Sequence, residues 1–223
     1  MREIVQNIYT TWREALSEPR FALKLFLAPG VFLLYSALTQ NLGLYIENRS
    51  GIQLADPFLQ LIPRFDFSVA IFILLYTALS ITILTHLHRP QIILRIIEMH
   101  LWVAVVRQIC ILLIALEPPV GIIVLRDVFL ENTVYPRQSP LTKDLFFSGH
   151  VASIWLYFLC AENPILKRFL LLATLLMSFM ILSMRVHYTY DVYGAILFTT
   201  LLYKLPGWLK SSVPEPAVIS SKK

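Results

Sequence analysis

The stretch FSVAIFILLYTALSITILTHLH, Phe67 to His88, decides the architecture. An α-helix rises about 1.5 Å per residue, so crossing about 30 Å of hydrocarbon takes roughly 20 apolar residues. This run reaches that length, and it is not alone. Beyond Arg89-Pro90 a second run extends from about Gln91 to Leu116, and an earlier one runs from about Phe21 to Ile46, with Pro29-Gly30 as the expected kink. Three more follow at about 149–162, 165–184 and 188–206. The 223 residues are 57% hydrophobic and 15% charged, with a mean hydropathy of +0.67. Too little polar surface would remain for a soluble domain of this length to face water. The expectation is an all-α membrane protein, a six-transmembrane helix bundle.

Residues 2–18 read differently. Ile4, Val5, Ile8, Tyr9, Trp12 and Leu16 share one helical face, with Arg2, Arg13, Glu14 and Glu18 elsewhere. That spacing predicts an amphipathic helix lying in the membrane interface. It lacks the apolar core and small-residue cleavage site of a signal peptide, so it is expected to be retained. The chain thus divides into an interfacial helix (1–20), a six-span catalytic domain (21–206) and a flexible, Ser/Pro/Lys-rich cytoplasmic tail (207–223).

The net charge is +5. In a soluble protein such a balance could indicate nucleic acid, but here the basic residues flank apolar spans and report topology. Lys and Arg outside the spans are about twice as numerous on the side holding both termini. The termini are therefore expected in the cytoplasm, with the turns ending at His150 and His187 opening to the periplasm, lumen or exterior. Cys110 and Cys160 lie inside apolar runs and read as small packed hydrophobes rather than a disulfide or metal site.

Two stretches carry the chemistry: Asp144-Leu-Phe-Phe-Ser148-Gly149-His150 and Arg185-Val-His187-Tyr-Thr189-Tyr-Asp191-Val. Both sit where a span meets the same membrane face. His187 and Asp191 are four residues apart, so on a helix they share a face. A carboxylate beside an imidazole fixes its tautomer and raises its basicity, which suits a histidine that attacks phosphorus and becomes a phosphohistidine. His150 begins a helix just after Ser148-Gly149, where free N–H groups and a glycine favour a bound phosphate. A second histidine there could protonate a departing alkoxide and later activate the acceptor. Taken singly, each feature reads as an amphipathic residue at the headgroup boundary. Two clusters converging on one face are harder to dismiss.

Other polar residues keep two readings. A charge at Arg107, deep in an apolar run, costs about 2.5 kcal/mol or more unless paired or wetted. It reads as a phosphate contact or as an ion pair with Glu98 or Glu117. Arg185 is a phosphate ligand or an interfacial anchor. Asp144 accepts a hydrogen bond from a histidine or substrate, or caps the fourth span. His86 and His88 read as interfacial, Glu98 and His100 have no assigned role, and Asn48-Arg49-Ser50 matches the short glycosylation triplet.

These stretches resemble the type-2 phosphatidic acid phosphatase superfamily, and in detail its sphingomyelin synthase branch. Asp144, Ser148, Gly149 and His150 meet an Asp-x3-Ser-Gly-His segment. His187, Tyr188, Thr189, Asp191 and Val192 meet His-Tyr-Thr-x-Asp-Val, and Arg107 with Leu116-Glu117-Pro118-Pro119 resembles an Arg followed by a Leu-Pro-x-Pro turn. The likeness covers roughly 90–206. It implies a six-helix core, no metal or other cofactor, His187 as nucleophile, Asp191 as its partner, and His150 as acid and base for the leaving group. The Lys-x6-Arg-Pro motif of the phosphatase branch is missing, and Ile181 stands where that branch has an arginine. Phosphate charge must then fall to Arg185, Arg107, Lys143 or Arg137. Lys143, Val151 and Ile196 replace the glycine, threonine and tyrosine of the synthase branch, so choline specificity is not implied. The favoured function is transfer of a phospho-headgroup from a glycerophospholipid to a lipid alcohol such as ceramide or diacylglycerol. The alternatives are a lipid phosphate phosphatase and a non-catalytic lipid-binding protein. The expected partners are membrane phospholipids and lipid alcohols, not nucleic acid.

Overall fold

The computed structural model describes residues 2–126 and 141–205, the side chains of Gln40 and Asn41 excepted. Arg137 and the expected tail from Ser211 lie outside the described residues. The described residues form eight helices and no strand. They are α1 (Arg2–Ser17), α2 (Pro19–Asn48), α3 (Pro57–Leu61), α4 (Ser68–Thr85), α5 (Pro90–Leu113), α6 (Gly149–Cys160), α7 (Pro164–Ser183) and α8 (Thr189–Lys204). Proline opens α2, α3, α5 and α7, where its fixed φ suits a first turn and its missing N–H deprives no hydrogen bond. Asn163 caps α7 by accepting from the Ile165 and Leu166 N–H groups. The helix α2 continues through Pro29.

Four of these helices, α2, α4, α5 and α7, are long and apolar enough to cross a membrane. The apolar α6 has only 12 residues, about 18 Å of rise, which is short of a bilayer core. It survives at this length because it is enclosed. It packs against α4, α5, α7 and α8, and Val151, Ala152, Ile154 and Leu156 are all fully buried. Protein rather than lipid therefore surrounds its ends, where backbone groups would otherwise go unsatisfied. By contrast α2 packs chiefly against α1 and α5 among the described residues, leaving Phe26 and Leu33 about 70% exposed, at 73% and 69%.

The connections gather at two ends. At one, α4 turns into α5 and α6 into α7, bridged by an Arg89–Glu162 ion pair. There α1 is anchored by the Trp12 indole N–H, which donates to the Leu87 carbonyl at 2.8 Å. His86, expected to sit at an interface, is buried with Nδ1 2.8 Å from the Thr82 carbonyl. At the other end, the α2–α4, α5–α6 and α7–α8 connections interlock. Ile52 bridges Leu116 in a single parallel contact, which puts Gly51 so near that a Cβ there would lie 2.6 Å from the Leu116 carbonyl carbon. Ile123 N–H donates to the Met184 carbonyl at 2.7 Å. This interlocked end holds the candidate site.

Candidate active site

The turn from α7 to α8 places the first histidine. Asp191 occupies the third position of α8, where the partial positive charge of a helix start favours a carboxylate. Its Oδ2 accepts from the Tyr188 N–H at 2.9 Å and lies 3.2 Å from His187 Nδ1. The carboxylate is fully buried. An ionised carboxylate only accepts, so Nδ1 is the protonated nitrogen and Nε2 keeps its lone pair. The start of α8 is held from outside by Asp56, which accepts from the Thr189 N–H at 2.6 Å and the Thr189 hydroxyl at 3.1 Å. Asp56 also caps α3 through the Leu59 N–H. Sequence pattern alone does not single out Asp56. Asp56-Pro57 signals only a helix start, an N-cap residue followed by a first-turn proline.

The start of α6 places the second. Ser148 N–H donates to the Asp191 carbonyl at 3.2 Å, tying the α6 start to α8. His150 follows, its ring edge-on to Phe72 at 5.8 Å. The preceding loop is clamped by Arg107 from α5. Its Nε donates to the Phe147 carbonyl at 2.6 Å, and Nη2 donates to the Asp144 carbonyl at 3.2 Å and pairs with Asp144 Oδ2 at 3.0 Å. Gly149 makes room for this clamp, since a Cβ there would lie 3.3 Å from Arg107 Nε. Burial disfavours the charge on Asp144, yet the Arg107 guanidinium, helped by His187 and His150, holds its carboxyl below the usual carboxylate range. Of the two readings of Arg107, the pair forms, but with Asp144. Glu98 instead pairs with Lys24, and Glu117 with Lys143. Asp144 does not cap α6, whose N-cap is Ser148.

His150, His187, Asp144, Arg107 and Gly149 all line one cavity of about 430 Å³. His100 lines it too, with Nε2 3.1 Å from the Ser153 hydroxyl. His100 had no role assigned from sequence because nothing in α5 alone shows that it faces Ser153, one turn along α6 from His150. Tyr35 adds a wall from α2. The Ser148 hydroxyl and Asp191 Oδ1 are buried with no hydrogen-bond partner among the described residues.

Two expected phosphate ligands stand elsewhere. Lys143 Nζ is taken by Glu117 at 2.9 Å and by the Arg49 carbonyl at 2.6 Å. The Lys143 ammonium and the Gly51 N–H hold the Glu117 carboxyl below its ordinary range. Arg185 lines a different cavity, and its Nη2 donates to the Ile62 carbonyl at 3.1 Å. It is separated from His187 by one residue, but the turn sends the two side chains to opposite sides. Among the described residues, no group of three or more His, Cys, Asp or Glu is placed to hold a metal ion.

Residues 143–207 match the family model described as PAP2 superfamily C-terminal. That segment contains His150, His187 and Asp191 but not Arg107. No curated protein matches the chain. The family match supports an enzyme of the lipid phosphatase and phosphotransferase kind, and several long apolar helices are compatible with an integral membrane protein.

Proposed function

We propose that this chain is a six-span membrane phosphotransferase that moves a phospho-headgroup from a glycerophospholipid to a lipid alcohol, ceramide or diacylglycerol, through a phosphohistidine at His187. The carrying observation is that His150 and His187 line one cavity beside Arg107, with His187 braced by buried Asp191. In the first step His187 Nε2 attacks phosphorus, an N–P bond forms, and the P–O bond to diacylglycerol breaks. Protonated His150 gives its proton to the departing alkoxide. In the second step neutral His150 takes the proton from the acceptor hydroxyl, whose oxygen attacks phosphorus as the N–P bond breaks. Both histidines return to their starting forms. Asp191 steadies the imidazolium charge that develops in the first step. Arg107 is a positioning residue for the 144–149 loop. Its Nη1 makes no hydrogen bond among the described residues and is available to a phosphate oxygen.

The cavity opens away from the cytoplasm in this reading, with both termini cytoplasmic, as the Lys and Arg distribution favours. The α1 helix lies in the interface, supported by the 66%, 61% and 61% exposure of Ile4, Val5 and Tyr9. Residues 21–206 form the catalytic domain. Hydrolysis, with water as acceptor, is the second reading, and the family match is compatible with either. Purified protein given phospholipid labelled in its headgroup phosphate, plus an added lipid alcohol, separates the two. Label on the alcohol supports transfer, free labelled phosphate supports hydrolysis, and turnover that persists in His187→Ala removes the nucleophile assignment.

A further inference from the structure

A second cavity, of about 410 Å³, lies on the other side of the 184–188 turn, lined by Asp56, Gln60, Arg64, Val120, Arg185 and Tyr188 among others. Arg185 enters it from an unusual backbone. The Val186 N–H donates to the Ile181 carbonyl at 3.2 Å and the Arg185 N–H to the Leu182 carbonyl at 3.1 Å. This is the paired closure of a Schellman motif at the end of α7, whose left-handed position glycine usually fills. Here Arg185 fills it, at φ +59°. A side chain in that conformation costs roughly 1–2 kcal/mol relative to right-handed geometry. The turn would close more easily with glycine, so the closure does not account for an arginine.

The guanidinium is only partly engaged. One Nη donates to the Ile62 carbonyl, while Nε is buried with no partner among the described residues. Burial and the neighbouring Arg64 both act against the charge on Arg185, with Asp56 favouring it. Asp56 has little left to offer, since its carboxylate already accepts from the Leu59 N–H, the Thr189 N–H and the Thr189 hydroxyl. Arg64 has no hydrogen bond or ion pair of its own among the described residues. It lies over Gly121, at φ +79°, where a Cβ would come within 2.4 Å of Nη1. Two guanidinium groups thus share a cavity with a single, committed carboxylate. Their repulsion falls when an anion enters, and their planar forks suit phosphate oxygens.

We propose that the Arg64–Arg185 cavity is a second anion site that takes a phosphate group, either on a lipid headgroup or as free phosphate, separate from the histidine cavity. A phosphate held there by Arg185 sits two residues along the chain from the nucleophile, at the same end of the bundle.

The test uses the full chain carrying His187→Ala, which blocks turnover, in maltoside micelles that contain no phosphate. Inorganic phosphate is titrated in one arm and phosphatidate in mixed micelles in the other. Adding Arg64→Gln or Arg185→Gly lowers affinity for at least one probe about tenfold or more. The arm affected identifies the source of the phosphate. Arg185→Gly also relieves the left-handed strain, so its Tm stays within about 4 °C of the parent. Arg64 is exposed on a loop, so Arg64→Gln keeps the test valid should Arg185→Gly not fold. Unchanged affinity for both probes in Arg64→Gln overturns the site, as does the absence of binding in the parent. The outcome is independent of the phosphotransferase reading, which stands or falls on turnover with His187 intact.

Discussion

Two cavities of similar size flank one five-residue turn, and they are built on opposite logic. Val186 and His187 face the first, while Arg185 and Tyr188 face the second. In the first, the groups are held in close pairs: Arg107 with Asp144 at 3.0 Å, and the His187 ring with the Asp191 carboxylate at 3.2 Å. Those pairs fix geometry, which suits groups that must meet a reacting phosphorus within a fraction of an ångström. In the second, Arg64 and Arg185 outnumber one carboxylate already committed to backbone. Excess charge without geometry suits binding, not chemistry. Balanced charge positions a reaction, and unbalanced charge recruits a ligand.

The most drastic break in this contrast is His187→Ala. Headgroup transfer, followed with labelled phospholipid, should fall by about 10⁴-fold or more, because a nucleophile acting as part of a unit cannot be partly replaced. The Arg64–Arg185 affinity should not move. Next in size is Arg107→Lys, which keeps the charge but loses the fork that holds the Phe147 and Asp144 carbonyls. We expect kcat to fall about 10²-fold with a smaller change in KM, as measured by steady-state kinetics. A rise in KM with kcat unchanged would make Arg107 a binding residue only.

Asp56→Asn tests the scaffold between the cavities. The added amide presents N–H groups where the native oxygens meet the Thr189 or Leu59 N–H, so one buried donor loses its acceptor. Stability should drop by about 1–3 kcal/mol, read as a lowered Tm in detergent. The smallest effect belongs to Glu117→Gln, which removes the ion pair with Lys143. Because the Glu117 carboxyl titrates below its ordinary range in the fold, its contribution is present at neutral pH. It is lost as pH falls from the ordinary glutamate value of 4.5 down through the lowered one. The Tm difference between wild type and Glu117→Gln should close over that range. A difference that persists in acid would assign the effect to packing.

Much of this site could be read from the chain. The four-residue spacing of His187 and Asp191 needs only helical geometry, and the 3.2 Å contact follows. The positions of α2, α4, α5 and α7 agree with the apolar runs to within a few residues. What escaped was pairing across elements. Arg107 was weighed against Glu98 and Glu117, both near it in sequence, and found Asp144, 37 residues away. Lys143 was a candidate for phosphate until Glu117 folded against it. His100 gained a role only because α5 lies against α6, and Asp56 because α3 is folded under α8.

Local periodicity and run length by themselves determined that this chain is helical and apolar enough to enter a membrane. Those are properties of single segments, set by helical rise and by the transfer of side chains out of water. Only the tertiary structure decided that His150 and His187 share a cavity, that Arg107 clamps rather than floats, and that Arg185 turns away from the histidine two residues on. Those outcomes depend on packing between distant segments and on one left-handed residue, which no nearest-neighbour pattern encodes.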